Sequence, residues 1–143
     1  MKQSAPQAII PAPTAAFSLY LDYYLQRKGW SQNKLAIHAR INQPQLNKMM
    51  NGNVANMRID ILTNICLALQ LTLPESEDLL ARAGRAFSPA SPEHAAYKKL
   101  ITIYAGKTFN HSYESFMLDY ADEILLEQGF SKLPNNNNRI KDI

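Results

Sequence analysis

The 143-residue sequence predicts an all-α fold, and three observations carry that prediction. Apolar residues recur at the three- and four-residue spacing of a helix stripe in one segment after another. Ser and Asn stand where helix caps belong, and no segment alternates apolar with polar residues as a half-buried strand does. Hydrophobic residues make up 46% of the chain and charged residues 19%, the usage of a globular protein. The length suits one compact core with a small appended module.

Residues 1–13, rich in Pro, Ala and Gln, read as a flexible arm. From Thr14 a helix is expected, with Phe17, Tyr20, Leu21, Tyr24 and Leu25 on one face and Gly29 as its stop. Ser31 then caps a short second helix ending near Ala39, with Trp30 and Leu35 spaced as a hydrophobic staple. Asn42 opens a third helix with Gln45 at the capping-box position and Ile41 paired with Leu46. Pro44 is tolerated in that first turn, because its missing N–H would have had no intrahelical partner. Leu46, Met49 and Met50 face inward, and Asn51-Gly52 ends the helix.

A fourth helix is expected over 57–69, burying Ile59, Leu62, Ile65, Cys66 and Leu69, and a fifth from Glu75 to Ala83, stopped by Gly84. The turn-rich stretch Ser88-Pro-Ala-Ser-Pro marks a boundary. Beyond it Ser91-Pro92-Glu93 starts a helix with the stripe Tyr97, Leu100, Ile101 and Tyr104. A last helix over 113–128 carries Phe116, Met117, Tyr120, Ala121, Ile124 and Leu125, with Gly129-Phe130 as a Schellman stop. The organisation is therefore an arm (1–13), a five-helix unit (14–84), a helical extension (91–133) and a flexible tail (134–143).

Several function classes are excluded on composition. Cys66 is the single cysteine, and His38, His94 and His111 lack metal-ligand spacing, so no disulfide, metal site or cofactor is expected. No catalytic residue is assigned, because carboxylate pairs such as Asp122-Glu123 have no accompanying nucleophile or phosphate loop. Nothing reads as a signal peptide or membrane span, which implies a soluble cytoplasmic protein without membrane contact. The net charge of +3 is unevenly spread: residues 1–58 carry seven basic groups (Lys2, Arg27, Lys28, Lys34, Arg40, Lys48, Arg58) against Asp22 alone. That half is the candidate polyanion-binding half.

Two short helices joined by a tight turn, the second well capped and presenting amides and a lysine, form an arrangement that can enter a DNA major groove. In Ser31-Gln32, Leu35-Ala36, Ile41-Asn42, Leu46, Met49 and Gly52, followed by the helix containing ILTNICLALQL, the chain resembles the Cro/repressor-like (XRE) helix-turn-helix family over about residues 15–83. The resemblance implies a five-helix, lambda-repressor-like DNA-binding unit followed here by about two extra helices. It also implies double-stranded DNA as partner, with Gln43, Pro44, Asn47 and Lys48 at base edges and Gln32, Gln45, Asn51, Asn53 and Arg58 on the phosphate backbone. Arg40 departs from the family, which has glycine in the turn; a left-handed Arg40 would be strained by roughly 1 kcal/mol. Its side chain is read as solvated, with a phosphate contact as the rival.

The resemblance thus implies a non-enzymatic transcriptional regulator, a repressor by default, acting as a homodimer on a two-fold site. The alternatives are an antitoxin whose C-terminal helices bind a toxin, and a helical protein-interaction adaptor that does not touch DNA. The stripes of the extension are expected to form the dimer or partner contact, so a chain ending near Gly84 is expected to stay folded and become monomeric.

Overall fold

The computed structural model describes residues 8–109 and 117–137, and among these it contains helices and no strand. Helix α1 (Phe17–Lys28) buries the whole predicted stripe from Phe17 to Leu25. It ends at Gly29, whose φ of 73° lies in the left-handed region, with the Trp30 N–H returning to the Leu25 carbonyl at 3.0 Å. Helix α2 (Gln32–His38) starts at Ser31, whose Oγ accepts the Lys34 N–H at 3.1 Å. Helix α3 (Gln43–Met50) starts at Asn42, whose Oδ1 accepts the Gln45 N–H at 2.8 Å.

The reciprocal half of a capping box is not made at α3. Gln45 Oε1 is enclosed and accepts no hydrogen bond among the described residues. A complete box stands instead at the head of α5 (Leu73–Arg82), where Thr72 Oγ1 accepts the Glu75 N–H at 3.2 Å and the Glu75 carboxylate accepts the Thr72 N–H at 3.0 Å. Helix α5 therefore begins two residues before the start expected at Glu75.

Between them runs α4 (Ile59–Ala68), in which every residue but Asp60 is buried. A helix enclosed almost all round needs neighbours on every side. α4 has α2 and α5 as neighbours, and also the two helices of the extension, α6 (Pro92–Ala105) and α7 (Met117–Glu127). Leu100, Ile101 and Tyr104 of α6 and Leu118, Ala121 and Leu125 of α7 join the same core cluster as Phe17, Leu35 and Leu46. Polar ties reinforce the join. Gln70, itself left-handed at φ 53°, donates from Nε2 to the carbonyls of Tyr104 (2.8 Å) and Lys107 (2.6 Å), and the Tyr104 hydroxyl donates to the Met117 carbonyl.

This packing revises the reading of the extension. Its apolar stripes are covered within the chain by α4 and α5, so they are not surfaces held open for a second copy. Tyr120, expected on the buried stripe, is 39% exposed. Tyr113 and Phe116, expected in the same helix, and His111 lie outside the described residues. Gly129 does stop the helix as expected, with φ 85° and the Phe130 N–H on the Leu125 carbonyl at 2.9 Å.

Both presumed loose ends are held where they are described. The arm's Pro11 carbonyl accepts the Tyr20 hydroxyl at 3.0 Å, and Arg82 donates to the Pro13 carbonyl at 2.7 Å while lying over the Tyr20 ring. The tail's Asn137 is buried, because its side chain finds a backbone partner at the turn between α2 and α3.

Across α1 and α5, Arg27 grips both oxygens of Glu75 at 2.6 and 3.0 Å. That contact first, and then the Thr72 bonds, hold the Glu75 carboxyl below the usual carboxylate range against the opposing effect of burial. A depressed carboxyl stabilises the fold above the ordinary glutamate pKa of about 4.3, and that contribution is lost as pH falls through the lower folded value. Arg27 is 39% exposed, so solvent screening keeps the contribution small. Glu75→Gln should therefore lower stability by about 1 kcal/mol at neutral pH, with the gap to wild type closing in acid. Urea melts at pH 7 and pH 3 read both; a gap that persists at low pH would show that packing, not charge, is responsible.

Candidate nucleic-acid interface

The turn from Ala39 to Ile41 sets how α3 is presented. α2 and α3 approach at Ala36, which is fully enclosed, and the Ile41 N–H closes the turn on the Ala36 carbonyl at 2.9 Å. Leu46 and Met49 anchor the inner side of α3 in the core, and Gly52, at φ 90°, ends the helix. The outer side is left to Pro44, Asn47 and Lys48, all exposed, with Asn51, Gly52 and Asn53 exposed beyond them.

The sequence-assigned residues fall into distinct surroundings. Gln43, at the first position of α3, is half-buried, and its Nε2 donates to Asn33 Oδ1 at 2.8 Å across the α2–α3 corner. Its amide is thus oriented by α2. Gln32 is exposed at the first position of α2, next to Asn33 in the chain. Asn42, Pro44, Gln45 and Lys48 line an open cleft of about 540 Å³ with Asn53 and Arg58 from the segment that leads into α4. Lys48 and Arg58 are the charged residues of that lining, and no carboxylate belongs to it. Arg58 is 72% exposed and paired with Asp60 at 2.6 Å just outside the cleft, so an anion there would compete with Asp60.

Arg40 is not where the sequence reading put it. Its φ of 58° is left-handed, matching the glycine position of the turn, but its side chain is only 8% exposed. The guanidinium donates to Asp122 at 2.8 Å and to Asp119, both on α7. It is therefore neither solvated nor a phosphate contact. Asp122 is equally buried and also accepts the Leu133 N–H at 2.9 Å. Such a charge is tolerated away from water because each partner supplies hydrogen bonds as well as opposite charge.

The apparent basic surplus shrinks accordingly. Arg40 is consumed internally and Arg27 is held by Glu75, while Lys28 donates to Gln70 and lies over the Trp30 ring. Lys48 remains on α3, with Arg58 shared with Asp60. The cleft also includes two residues that the sequence reading missed, Asn56, left-handed at φ 59°, and Asn136 from the far end of the chain. The Asn56 conformation is one that Asn adopts more readily than most residues, which is the only local signal it offers. Asn136 offers none.

Burial pushes the Cys66 thiol up to about 12, so it is no thiolate near neutral pH. Among the described residues no cluster of His, Cys, Asp and Glu is arranged to hold a metal ion, and no helix is long and apolar enough to cross a membrane.

Residues 20–81 match the family model of the Cro/C1-type HTH DNA-binding domain. No curated protein and no solved structure matches the chain.

Proposed function

We propose that the chain, whose residues 20–81 match the Cro/C1-type helix-turn-helix DNA-binding family model, is a sequence-specific transcriptional repressor that inserts α3 into the major groove. The observation that carries this reading is the division of α3. Leu46 and Met49 lock it to the core, while Pro44, Asn47 and Lys48 stand out, Pro44 and Lys48 beside a cleft whose own lining includes no carboxylate. Gln43, held by Asn33, offers its remaining N–H and carbonyl to an adenine edge, and Lys48 donates to guanine O6 or N7. Pro44 meets a thymine methyl and Asn47 a further base edge. Gln32, Gln45, Asn51, Asn53 and Arg58 flank them and fix the register on phosphates. The protein acts as a homodimer on a two-fold site. With the inner stripes of the extension already covered, its outward Ile103 and Leu126, 46% and 49% exposed, together with Tyr120, are the large apolar side chains left for a second copy among the described residues.

The test is to select duplexes from a random-sequence library with the wild-type protein and titrate the winner and its single-base variants by fluorescence anisotropy. Lys48→Ala and Gln43→Ala should weaken the winning site by roughly 1–3 kcal/mol and flatten the preference at particular base pairs. Gln45→Ala should weaken all variants by a similar factor, since a phosphate contact carries no direct sequence information. Two chains per duplex are expected at saturation. Identical base preferences in wild type, Gln43→Ala and Lys48→Ala would remove α3 as the reader, and an empty selection would remove the DNA reading altogether.

A further inference from the structure

Residues 133–137 lie more than fifty positions beyond the matched domain, yet they are built into its helix-turn-helix corner. Four hydrogen bonds hold them. The Leu133 N–H meets Asp122 Oδ1 at 2.9 Å, and the Pro134 carbonyl accepts from the side chain of Asn64 at 3.0 Å. The Asn136 N–H donates to the Arg40 carbonyl at 2.8 Å, and Asn137 Nδ2 donates to the Ile41 carbonyl at 3.1 Å. Asn64 reaches the Ala39 carbonyl with the same amide nitrogen, so the carbonyls of the buried turn residues Ala39, Arg40 and Ile41 are claimed one after another by α4 and by this segment.

The segment is thereby fixed before, at and after Asn136. Leu133 and Asn137 are buried, whereas Asn136 is exposed and lines the cleft that holds Gln45, Lys48 and Arg58. We infer that Asn136 is an additional DNA-contact residue, supplied by the C-terminal extension, that donates a hydrogen bond to the phosphate backbone beside the groove entered by α3. The inference rests on α3 being the DNA-reading helix. A neutral amide on a rigid backbone is a common donor to phosphate oxygens, and a lining that includes Lys48, and Arg58 shared with Asp60, with no carboxylate of its own favours an anion over an acidic or apolar occupant. Because the anchoring bonds of Asn136 come from its main chain, its side chain can be changed without releasing the segment.

The experiment uses the full chain, the duplex selected by wild type and a scrambled duplex of equal length, with thermal melts as the folding control. Asn136→Asp should weaken both duplexes by a similar factor of at least about fivefold, through a lost hydrogen bond and added repulsion. Asn136→Lys should tighten both and steepen the dependence of log affinity on log salt by about one unit. Melting temperatures should stay at the wild-type value. If both variants bind both duplexes as wild type does, Asn136 does not touch DNA. If only the selected duplex is affected, the contact is to a base and the backbone assignment is wrong. An empty selection with wild type would instead overturn the reading of α3.

Discussion

Arg40→Ala should lower the unfolding free energy by about 3–5 kcal/mol, a large part of the stability of a single domain. Alanine does nothing to relieve the left-handed turn at φ 58°, since it too carries a Cβ, and it strips Asp122 of its buried counter-charge. Asp122 would be left with the Leu133 N–H in a site from which water is largely shut out. Arg40→Gly separates the two effects: it relieves roughly 1 kcal/mol of backbone strain while losing the same ion pairs, so it should fall about 1 kcal/mol short of the alanine loss. A glycine variant as stable as wild type would limit the contribution of the buried pair to the roughly 1 kcal/mol of strain relieved. The double variant Arg40→Met with Asp122→Leu is the informative third arm, because two apolar side chains leave no uncompensated charge. It should be markedly more stable than Arg40→Ala, and a double-mutant cycle in chemical denaturation measures the coupling.

Local signals made the reading helix legible. Asn42 caps it, Leu46 and Met49 recur on its inner side and Gly52 ends it, and each of these statements concerns residues within one or two turns of one another. The same locality explains what was missed. The late start expected for α5 is the exception, because Thr72 and Glu75 at capping-box spacing with Pro74 in the first turn are themselves a local start signal, overshadowed by the apolar spacing beyond Glu75. Counting charges found seven cations in the first 58 residues, and counting cannot see that Arg40 meets α7 some eighty positions away. Periodicity established that α6 and α7 each bury a face without saying against what, and α4 already had residues to spare on that side. Asn137 shows the limit most plainly. It stands in a run of four asparagines with no apolar neighbour, and it is buried because one carbonyl, that of Ile41, lies within reach in the folded chain.

Ending the chain after Gly84 should abolish cooperative folding rather than release a stable five-helix unit. The cut removes Tyr97, Leu100, Ile101, Tyr104, Leu118 and Leu125 from the core and exposes the side of α4 they cover. At roughly 1.5–3 kcal/mol for each large apolar side chain, losing even half of these contacts matches the 5–15 kcal/mol that holds a typical domain together. Polar losses act in the same direction. Arg40 would be left without either carboxylate, Gln70 without the Tyr104 and Lys107 carbonyls, and Asn64 without Pro134. The expected result is a chain with partial helicity, a broad thermal transition and binding of a hydrophobic dye, the signature of secondary structure without fixed packing. DNA binding should be lost with it, since the turn that presents α3 would no longer be clamped. A truncated chain that melts cooperatively with no dye binding would mean that α1 to α5 close a core of their own and that α6 and α7 merely lie against it.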